Sequence, residues 1–436
     1  MVVALTIAGS DSIGGAGIQA DIKALASMDV HPASVITCIT SQNTQSVSSI
    51  LPLPIEHVLS QLEAVLGDAE VAAAKTGMLY SKEIASAVAG RLATEGIPLV
   101  VDPVLVAGVG DSLHTRSLLK VLKDEVIPLA YLVTPNRAEA EALVGKRIKG
   151  LTEARKACRK IQELGARAVL LKGGHFESEQ VTDLLFFEDE FVEVHAPRID
   201  IKVHGSGCNL SSYIVGYLAL GTGIKEAVIS ARSRLMDSML AHYPVGGGLE
   251  VLDSLATLKR ESQRYITLVE LEEAIAHIET RLTRDLVPEV GMNFVYALPH
   301  ARYYEDVCGL EGRIVGKGEG ATRTGCLAFG SSRHVARVVL TAMRYDPRIR
   351  SALNLRYSEA NLSRLRKLGL SIGCFDRSEE PKQVKTMEWG TASAIEALGF
   401  VPDVIFDQGG VGKEPMIRVL GESPSNVLEK IQGIFG

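Results

Sequence analysis

The sequence predicts an α/β protein in two parts: a three-layer α/β/α front domain, then a second, smaller α/β domain. Three observations carry this. Short apolar runs alternate with amphipathic helical stretches over residues 1–245. The alternation breaks at three consecutive glycines, Gly246, Gly247 and Gly248. A new alternation then runs to residue 436. Strands separated by helices imply parallel β-α-β units with helices on both sheet faces.

The apolar runs 4–8, 35–40, 72–76, 99–101, 131–133 and 168–171 are the expected buried strands. Between them, 16–28, 55–66, 81–95 and 151–164 show helical spacing of apolar residues. Residues 182–187 and 191–196 read as a hairpin, and a long helix is expected from about Ser206. Glycine triplets are unfavourable inside helices, so 246–266 is expected to be the linker between domains 1–245 and 267–436. The rear domain opens with a helix from about Thr267.

Composition narrows the function. Of 436 residues, 46% are hydrophobic and 22% charged, enough apolar material for sizeable cores. A formal charge of -6 argues against whole-surface binding to nucleic acid or anionic membrane. No apolar run reaches the roughly 18 residues a membrane helix needs. No basic patch precedes the short N-terminal apolar stretch, so no signal peptide is expected. Six cysteines without a C-x-x-C pair fit neither a disulfide framework nor a structural zinc site. The expectation is a multidomain enzyme of a reducing compartment, the cytoplasm.

Neither G-x-x-x-x-G-K-[ST] nor G-x-G-x-x-G occurs, which lowers the weight of P-loop and standard dinucleotide folds. A different phosphate device is present. His204-Gly205-Ser206-Gly207-Cys208-Asn209 leads into an apolar helix. The glycines let backbone approach a ligand, and first-turn amides point outward as an anion hole. Cys208 would sit at that helix start, where a thiol pKa tends to fall; a plain glycine turn before a buried cysteine is the alternative. Other expected strand ends carry Gly9-Ser10-Asp11, Ser41-Gln42-Asn43-Thr44, Lys75-Thr76-Gly77-Met78, Asp102-Pro103, Thr134-Pro135-Asn136 and Lys172-Gly173-Gly174-His175. In open α/β sheets ligands bind beyond such ends. Asp102 and Glu139 suit Mg²⁺ held through water near phosphates, although singly each would pass for a strand-end cap or a solvated helix residue.

In order, IAGSDSIGGAGIQAD, ITSQNTQSV, KTGML, VDPV, TPNRAEA, LKGGH and HGSGC resemble hydroxymethylpyrimidine/phosphomethylpyrimidine kinase, a ribokinase-like enzyme of thiamine biosynthesis. The resemblance covers residues 1–245. It implies ATP- and Mg²⁺-dependent phosphorylation of the pyrimidine's hydroxymethyl group and then of the monophosphate. It also implies that Gln42 reads the pyrimidine edge, that Gly9, Asp21 and Met78 line that pocket, and that Asn136 and Glu139 lie near magnesium and phosphate. Lys172 would meet ATP phosphates with Gly205 and Gly207, and Cys208 would hold the catalytic-base position. The family commonly forms homodimers. The chain departs from the family pattern at Ser206, Asn209 and Gly108-Val109, where threonine, threonine and a more polar pair are usual.

In the rear half, residues 313–367 hold ten arginines and two lysines against three acids, a formal +9. Such concentration points to a polyanionic ligand, or to a solvated, salt-bridged face. Phe329-Gly330-Ser331-Ser332-Arg333-His334 leads into a helix over 335–345, with Ser331 or Ser332 as its cap. On a helical wheel His334, Arg337, Thr341 and Arg344 share one face, while Val335, Val338, Val339 and Ala342 share the buried one. Gly409-Gly410-Val411-Gly412-Lys413 is a glycine loop with a lysine, or simply a turn. EGRIVGKGEG, AFGSSRHVARVVLTAMRYDPRIRSALNLRYSE, IGCFDRSEEP and PDVIFDQGGVGKEPMIRVLG resemble the archaeal-type thiamine-phosphate synthase domain. That implies coupling of the pyrimidine diphosphate to hydroxyethylthiazole phosphate, with Arg313 and His334 as catalytic residues.

The expected ligands are therefore small molecules and ATP, with no nucleic-acid or membrane partner. Two other readings stand beside this one. The front half could phosphorylate vitamin B6 alcohols, although Gln42 favours the pyrimidine. The rear half could be a ligand-sensing regulator that touches DNA, although no helix-turn-helix segment is apparent.

Overall fold

The computed structural model describes residues 1–105, 116–173, 180–381, 386–410 and 412–435. They form two compact units, Met1–Leu258 and Lys259–Gly436. Gly108, Val109, Gly174, His175 and Val411, which the sequence singles out, lie outside the described residues.

In the first unit, strands β1 (Val2–Asp11), β2 (Val30–Gln42), β3 (Val47–Pro52), β4 (Val71–Thr76), β5 (Leu99–Val101), β6 (Leu132–Val133), β7 (Ala168–Leu171), β8 (Gln180–Phe187) and β9 (Glu190–Pro197) make one sheet. Their order is β3-β2-β1-β4-β5-β6-β7-β8-β9. The six strands from β2 to β7 pair parallel, and β3, β8 and β9 add antiparallel edges. The order reverses at β1, between β2 and β4, which makes the crevice beyond those strand ends a natural ligand site.

Period-two alternation divides the sheet between two cores. Leu5 and Ile7 pack with Val58 and Leu62 of the helix Ile55–Leu66, Ile84 of Lys82–Leu92 and Leu143 of a later helix, Arg137–Val144. Ala4 turns the other way, toward Leu25 in Gly17–Ala26, Tyr213 in Ser206–Ala219 and Val228 in Ile224–Leu240. Each fully buried leucine contributes roughly 1.5–3 kcal/mol of transfer free energy. The expected three layers and the 182–196 hairpin are present. The helix expected from Ser206 is two helices, because Gly221 takes φ +83° and ends the first. The edge strand β3, VSSILP, is mostly exposed and its apolar residues do not alternate, so periodicity gives little sign of it.

Residues 246–266 are not a free linker. Gly248 N–H donates to Thr44 Oγ1 and Leu249 N–H to Thr44 O. A Cβ at Gly248 would lie 2.2 Å from that carbonyl oxygen, so glycine here serves close approach rather than flexibility. Glu250–Val251 then pairs with Val203–His204, and a helix spans Ala256–Arg281, starting well before residue 267.

The second unit is a seven-stranded sheet, mainly antiparallel, whose last three strands in space are Met416–Gly421, Val404–Asp407 and Ile372–Cys374. One face packs on Leu271 and Ile275, Leu362, and Val427 from three helices. The other packs on the helix Arg333–Tyr345 and on Thr386–Leu398, through Val335, Val338 and Ile395. The expected buried face of the Arg333–Tyr345 helix is correct, but Thr341 is also buried, at 2% exposure.

Candidate active site

A cavity of about 520 Å³ opens at the carboxyl ends of β1, β4 and β5. Gly9, Asp21, Gln42, Met78, Asp102, Asn136, Glu139, Lys172, Gly205, Gly207 and Cys208 all line it. A second cavity of about 430 Å³ shares Asn136, Lys172, Ser206 and Gly207 and continues to Arg198, Lys202, Arg232 and Met236. Two chambers thus meet at a lysine and a helix start.

The meeting point depends on glycine. Gly205 takes φ +86°, and a Cβ there would lie 1.9 Å from Gly15 O. At Gly207 a Cβ would meet Lys172 Nζ at 3.3 Å and Asp102 Oδ2 at 3.6 Å. No side chain caps the helix Ser206–Ala219, so its first amides remain available to an anion.

Lys172 Nζ lies 2.9 Å from Asp102 Oδ1 and 3.8 Å from Glu139 Oε2. Burial favours neutral carboxyls, yet Lys172 and Lys75 outweigh it at Asp102, whose pKa is lowered. At Glu139 burial dominates Lys172, and neighbouring Asp102 adds to it, so that carboxyl is raised to about 7. Glu139 also completes a capping box. It accepts Asn136 N–H at 2.7 Å, and its own N–H donates to Asn136 Oδ1 at 3.0 Å. Among the described residues no cage of three or more His, Cys, Asp or Glu side chains gathers. Two carboxylates beside a phosphate cradle do fit magnesium, which keeps several waters and takes few protein ligands.

Cys208 lies half-buried in this wall, but its thiol is not activated as expected. Burial pushes it up to about 11; Lys75 and the Gly17 N–H pull it down, while Asp21 and Asp102 push it further up. The helix start alone does not decide a thiol's pKa when two carboxylates stand nearby.

Asp21 reaches the cavity wall with its carboxylate already satisfied by Lys75 Nζ at 2.7 Å, Ser212 Oγ at 2.7 Å and Thr6 Oγ1 at 2.6 Å. Gln42 Nε2 lies 2.8 Å from His204 Nε2, which in turn is 3.1 Å from Asp11 Oδ2. Lys75, His204 and Asp11 are cavity residues to which the sequence reading assigned no role. A lysine inside the buried strand VAAAKT was the available signal, since such a charge needs a partner.

In the second unit, His334 opens the helix Arg333–Tyr345. Its residue keeps solvent access, yet crowding around the ring and the charges of Arg418, Arg377, Arg337 and Arg313 drive its pKa down to about 4. Arg313 is exposed, with Nη1–H donating to Gly312 O. The structure therefore brings Arg313 and His334 into one electrostatic neighbourhood. Ser332 stands at the cap position with φ +55° but makes no side-chain cap bond, because the left-handed backbone turns it from the helix amides. Much of the basic run is salt-bridged, as with Arg323 to Glu272 and Arg348 to Asp346. Gly410 and Lys413 exchange backbone hydrogen bonds and Lys413 pairs with Glu380, so the glycine loop is a turn.

Residues 11–253 match the family described as phosphomethylpyrimidine kinase. The chain belongs to that family. Behind this kinase half, residues 270–433 match the family described as thiamine-phosphate synthase ThiN. Over 434 residues the chain is 31% identical to the bifunctional thiamine biosynthesis protein ThiDN of Methanocaldococcus jannaschii, covering 99% of this chain and 98% of that one. The hydroxymethylpyrimidine/phosphomethylpyrimidine kinase of Rhizobium meliloti is 45% identical over 235 residues, 53% of this chain and 88% of that protein. Among solved structures, pyridoxal kinase of Bacillus subtilis in complex with ADP superposes with a TM-score of 0.55 at 30% identity, covering 59% of this chain and 99% of that one. Phosphomethylpyrimidine kinase from Clostridium difficile superposes with a TM-score of 0.50 at 38% identity, covering 55% and 100%. The kinase half thus has the ribokinase-like fold, and the protein is a bifunctional enzyme of thiamine biosynthesis, kinase in front and thiamine-phosphate synthase behind.

Proposed function

We propose that the first unit transfers the γ-phosphoryl group of ATP to 4-amino-5-hydroxymethyl-2-methylpyrimidine and then to its monophosphate. The second unit would couple the diphosphate to hydroxyethylthiazole phosphate, giving thiamine phosphate and pyrophosphate. The observation that carries the kinase reading is the junction of two cavities at Lys172 and Gly207. The acceptor alcohol fits the chamber with Gln42 and Met78, and the nucleotide fits the chamber with Arg198, Lys202 and Arg232.

Phosphoryl transfer needs positioning and charge neutralisation more than a strong base. Gln42 can donate and accept along the aminopyrimidine edge. Lys172 and the open amides from Ser206 onward meet the transferring oxygens as negative charge gathers there. Asp102 and Glu139 would hold magnesium through water, and the ion would neutralise phosphate charge. Cys208, beside Gly17 N–H, would take up the alcohol's proton late, after the phosphoryl group has largely arrived. Its high pKa in the free protein suits that late role.

In the second unit, Arg313 would meet the diphosphate as it departs, and His334 would hold the thiazole phosphate or assist that departure. Full-length likeness to ThiDN supports two enzymes over a kinase joined to a sensing domain. The test supplies ATP, magnesium, the hydroxymethylpyrimidine and thiazole phosphate to the purified protein and looks for thiamine phosphate by mass. Formation of the pyrimidine diphosphate without thiamine phosphate would favour the sensing alternative.

A further inference from the structure

We infer that Arg377, Asp407 and Arg418 build a fixed seat for a phosphate group beside His334, able to take a phosphate monoester or a diphosphate. The inference rests on reading the second unit as the synthase.

Arg418 comes from a buried strand, Met416–Gly421, and is only 1% exposed. Its Nη2 lies 2.8 Å from Asp407 Oδ2, yet neither Nη1 nor Nη2 has a well-aligned hydrogen-bond partner. Asp407 explains why. Arg377 already grips both carboxylate oxygens, through Nε–H to Oδ1 and Nη2–H to Oδ2 at 3.1 Å. Gly409 N–H donates to Oδ1 as well, at 2.9 Å. Two guanidinium groups therefore share one carboxylate, which leaves a buried excess of one positive charge and unused donors. Burying such a charge without a partner is costly, and an anion supplied by the substrate removes the imbalance.

The surroundings fit an anion. Crowding around the ring, with the charges of Arg418, Arg377, Arg337 and Arg313 adding to it, keeps His334 neutral at physiological pH, so its ring offers one donor and one acceptor. Asp407, Glu388 and Glu380 are the acids beside these cations; Glu388 lies 3.9 Å from Arg337 Nε, and Glu380, which also feels Arg377, is already paired with Lys413 at 2.9 Å. His334 lies in the first turn of the helix Arg333–Tyr345, whose N-cap residue Ser332 puts no side chain on the first amides, so donors remain there for an anion. Arg377, Asp407 and Arg418 stand on or beside three adjacent strands, so the fork is set before a ligand arrives. Bidentate guanidinium geometry matches phosphate oxygens better than an ammonium would.

The test uses the full-length protein and two probes, hydroxyethylthiazole phosphate and inorganic pyrophosphate, titrated by calorimetry. Arg418→Lys keeps a charge but loses the fork, and Arg377→Gln removes the less buried partner in case Arg418→Lys fails to fold. Each variant should weaken one probe by about 10- to 100-fold, the weight of a lost charge-assisted hydrogen bond, and which probe weakens identifies the anion that the seat holds. Kinase activity should be unchanged in both. The same probe should raise the His334 ring pKa, followed by NMR, in the wild type and less so in the variants, a response that a purely structural role would not produce. Wild-type affinity for both probes in both variants, or no binding of either probe to the wild type, would overturn the seat. If thiamine phosphate forms with unchanged substrate KM in the variants, the seat is wrong and the synthase reading stands. Arginine-dependent probe binding without any thiamine phosphate would leave the seat and remove the synthase reading.

Discussion

Lys75 and Asp21 lie 54 residues apart and form an ion pair 2.7 Å long with no solvent on either side chain. Lys75 also approaches Cys208 O and Ser212 Oγ at 3.3 Å, so the pair ties β4 to two helices behind the cavity. Lys75→Met strands a buried carboxylate, and a loss of about 3–5 kcal/mol is expected in denaturation of the first unit. Adding Asp21→Leu to that variant should recover part of the loss. Equal stability of the single and double variants would contradict a true charge pair.

Two glycines two residues apart, Gly205 and Gly207, should behave differently. Gly205→Ala puts a Cβ against Gly15 O at φ +86° and should lower the melting temperature. Gly207→Ala meets only side-chain ends, Lys172 Nζ at 3.3 Å and Asp102 Oδ2 at 3.6 Å. It should fold normally and raise KM for ATP by about tenfold, the effect of roughly 1.4 kcal/mol. Steady-state kinetics and thermal melts on the pair separate the cradle from the fold.

Cys208→Ala should reduce kinase turnover by roughly 10²–10⁴, the usual span for a lost general base, with pyrimidine binding less affected. Burial pushes the Cys208 thiol of the free protein up to about 11. Because a raised thiol pKa leaves it protonated below that value, alkylation of Cys208 should be slow at pH 7–8 and accelerate as pH climbs toward 11. Peptide mass spectrometry after timed iodoacetamide treatment reads this directly. Rapid labelling at pH 7 would mean that the thiolate is stabilised more than Lys75 and Gly17 N–H allow.

Arg313→Ala should abolish thiamine phosphate synthesis while ATP-dependent pyrimidine phosphorylation persists, measured separately on the same preparation. Loss of both would point to misfolding or to a shared site.

The fold and the cavity were legible to different depths. Strand–helix alternation carried the parallel sheet, and short polar strand ends carried Gln42, Asp102, Asn136 and Lys172, because both signals are local. The Lys75–Asp21 pair and the Gln42–His204–Asp11 contacts join residues far apart in sequence, and local spacing does not register such partners. The Cys208 thiol departs from the helix-start expectation for the same reason: its helix position is local, but burial and the two carboxylates are tertiary. In the second unit the basic run points to 313–367, whereas Arg377 and Arg418, with side chains 8% and 1% exposed, lie beyond it. An arginine in the otherwise apolar strand MIRVLG was the signal available.

The most direct test of two separate active sites in one chain is complementation. Cys208→Ala and Arg313→Ala proteins are each given ATP, magnesium, the hydroxymethylpyrimidine and thiazole phosphate, alone and mixed, and thiamine phosphate is quantified by mass. The mixture should form thiamine phosphate well above either variant alone, because one supplies the diphosphate and the other consumes it. A mixture no more active than its components, while the wild type works, would contradict independent kinase and synthase sites.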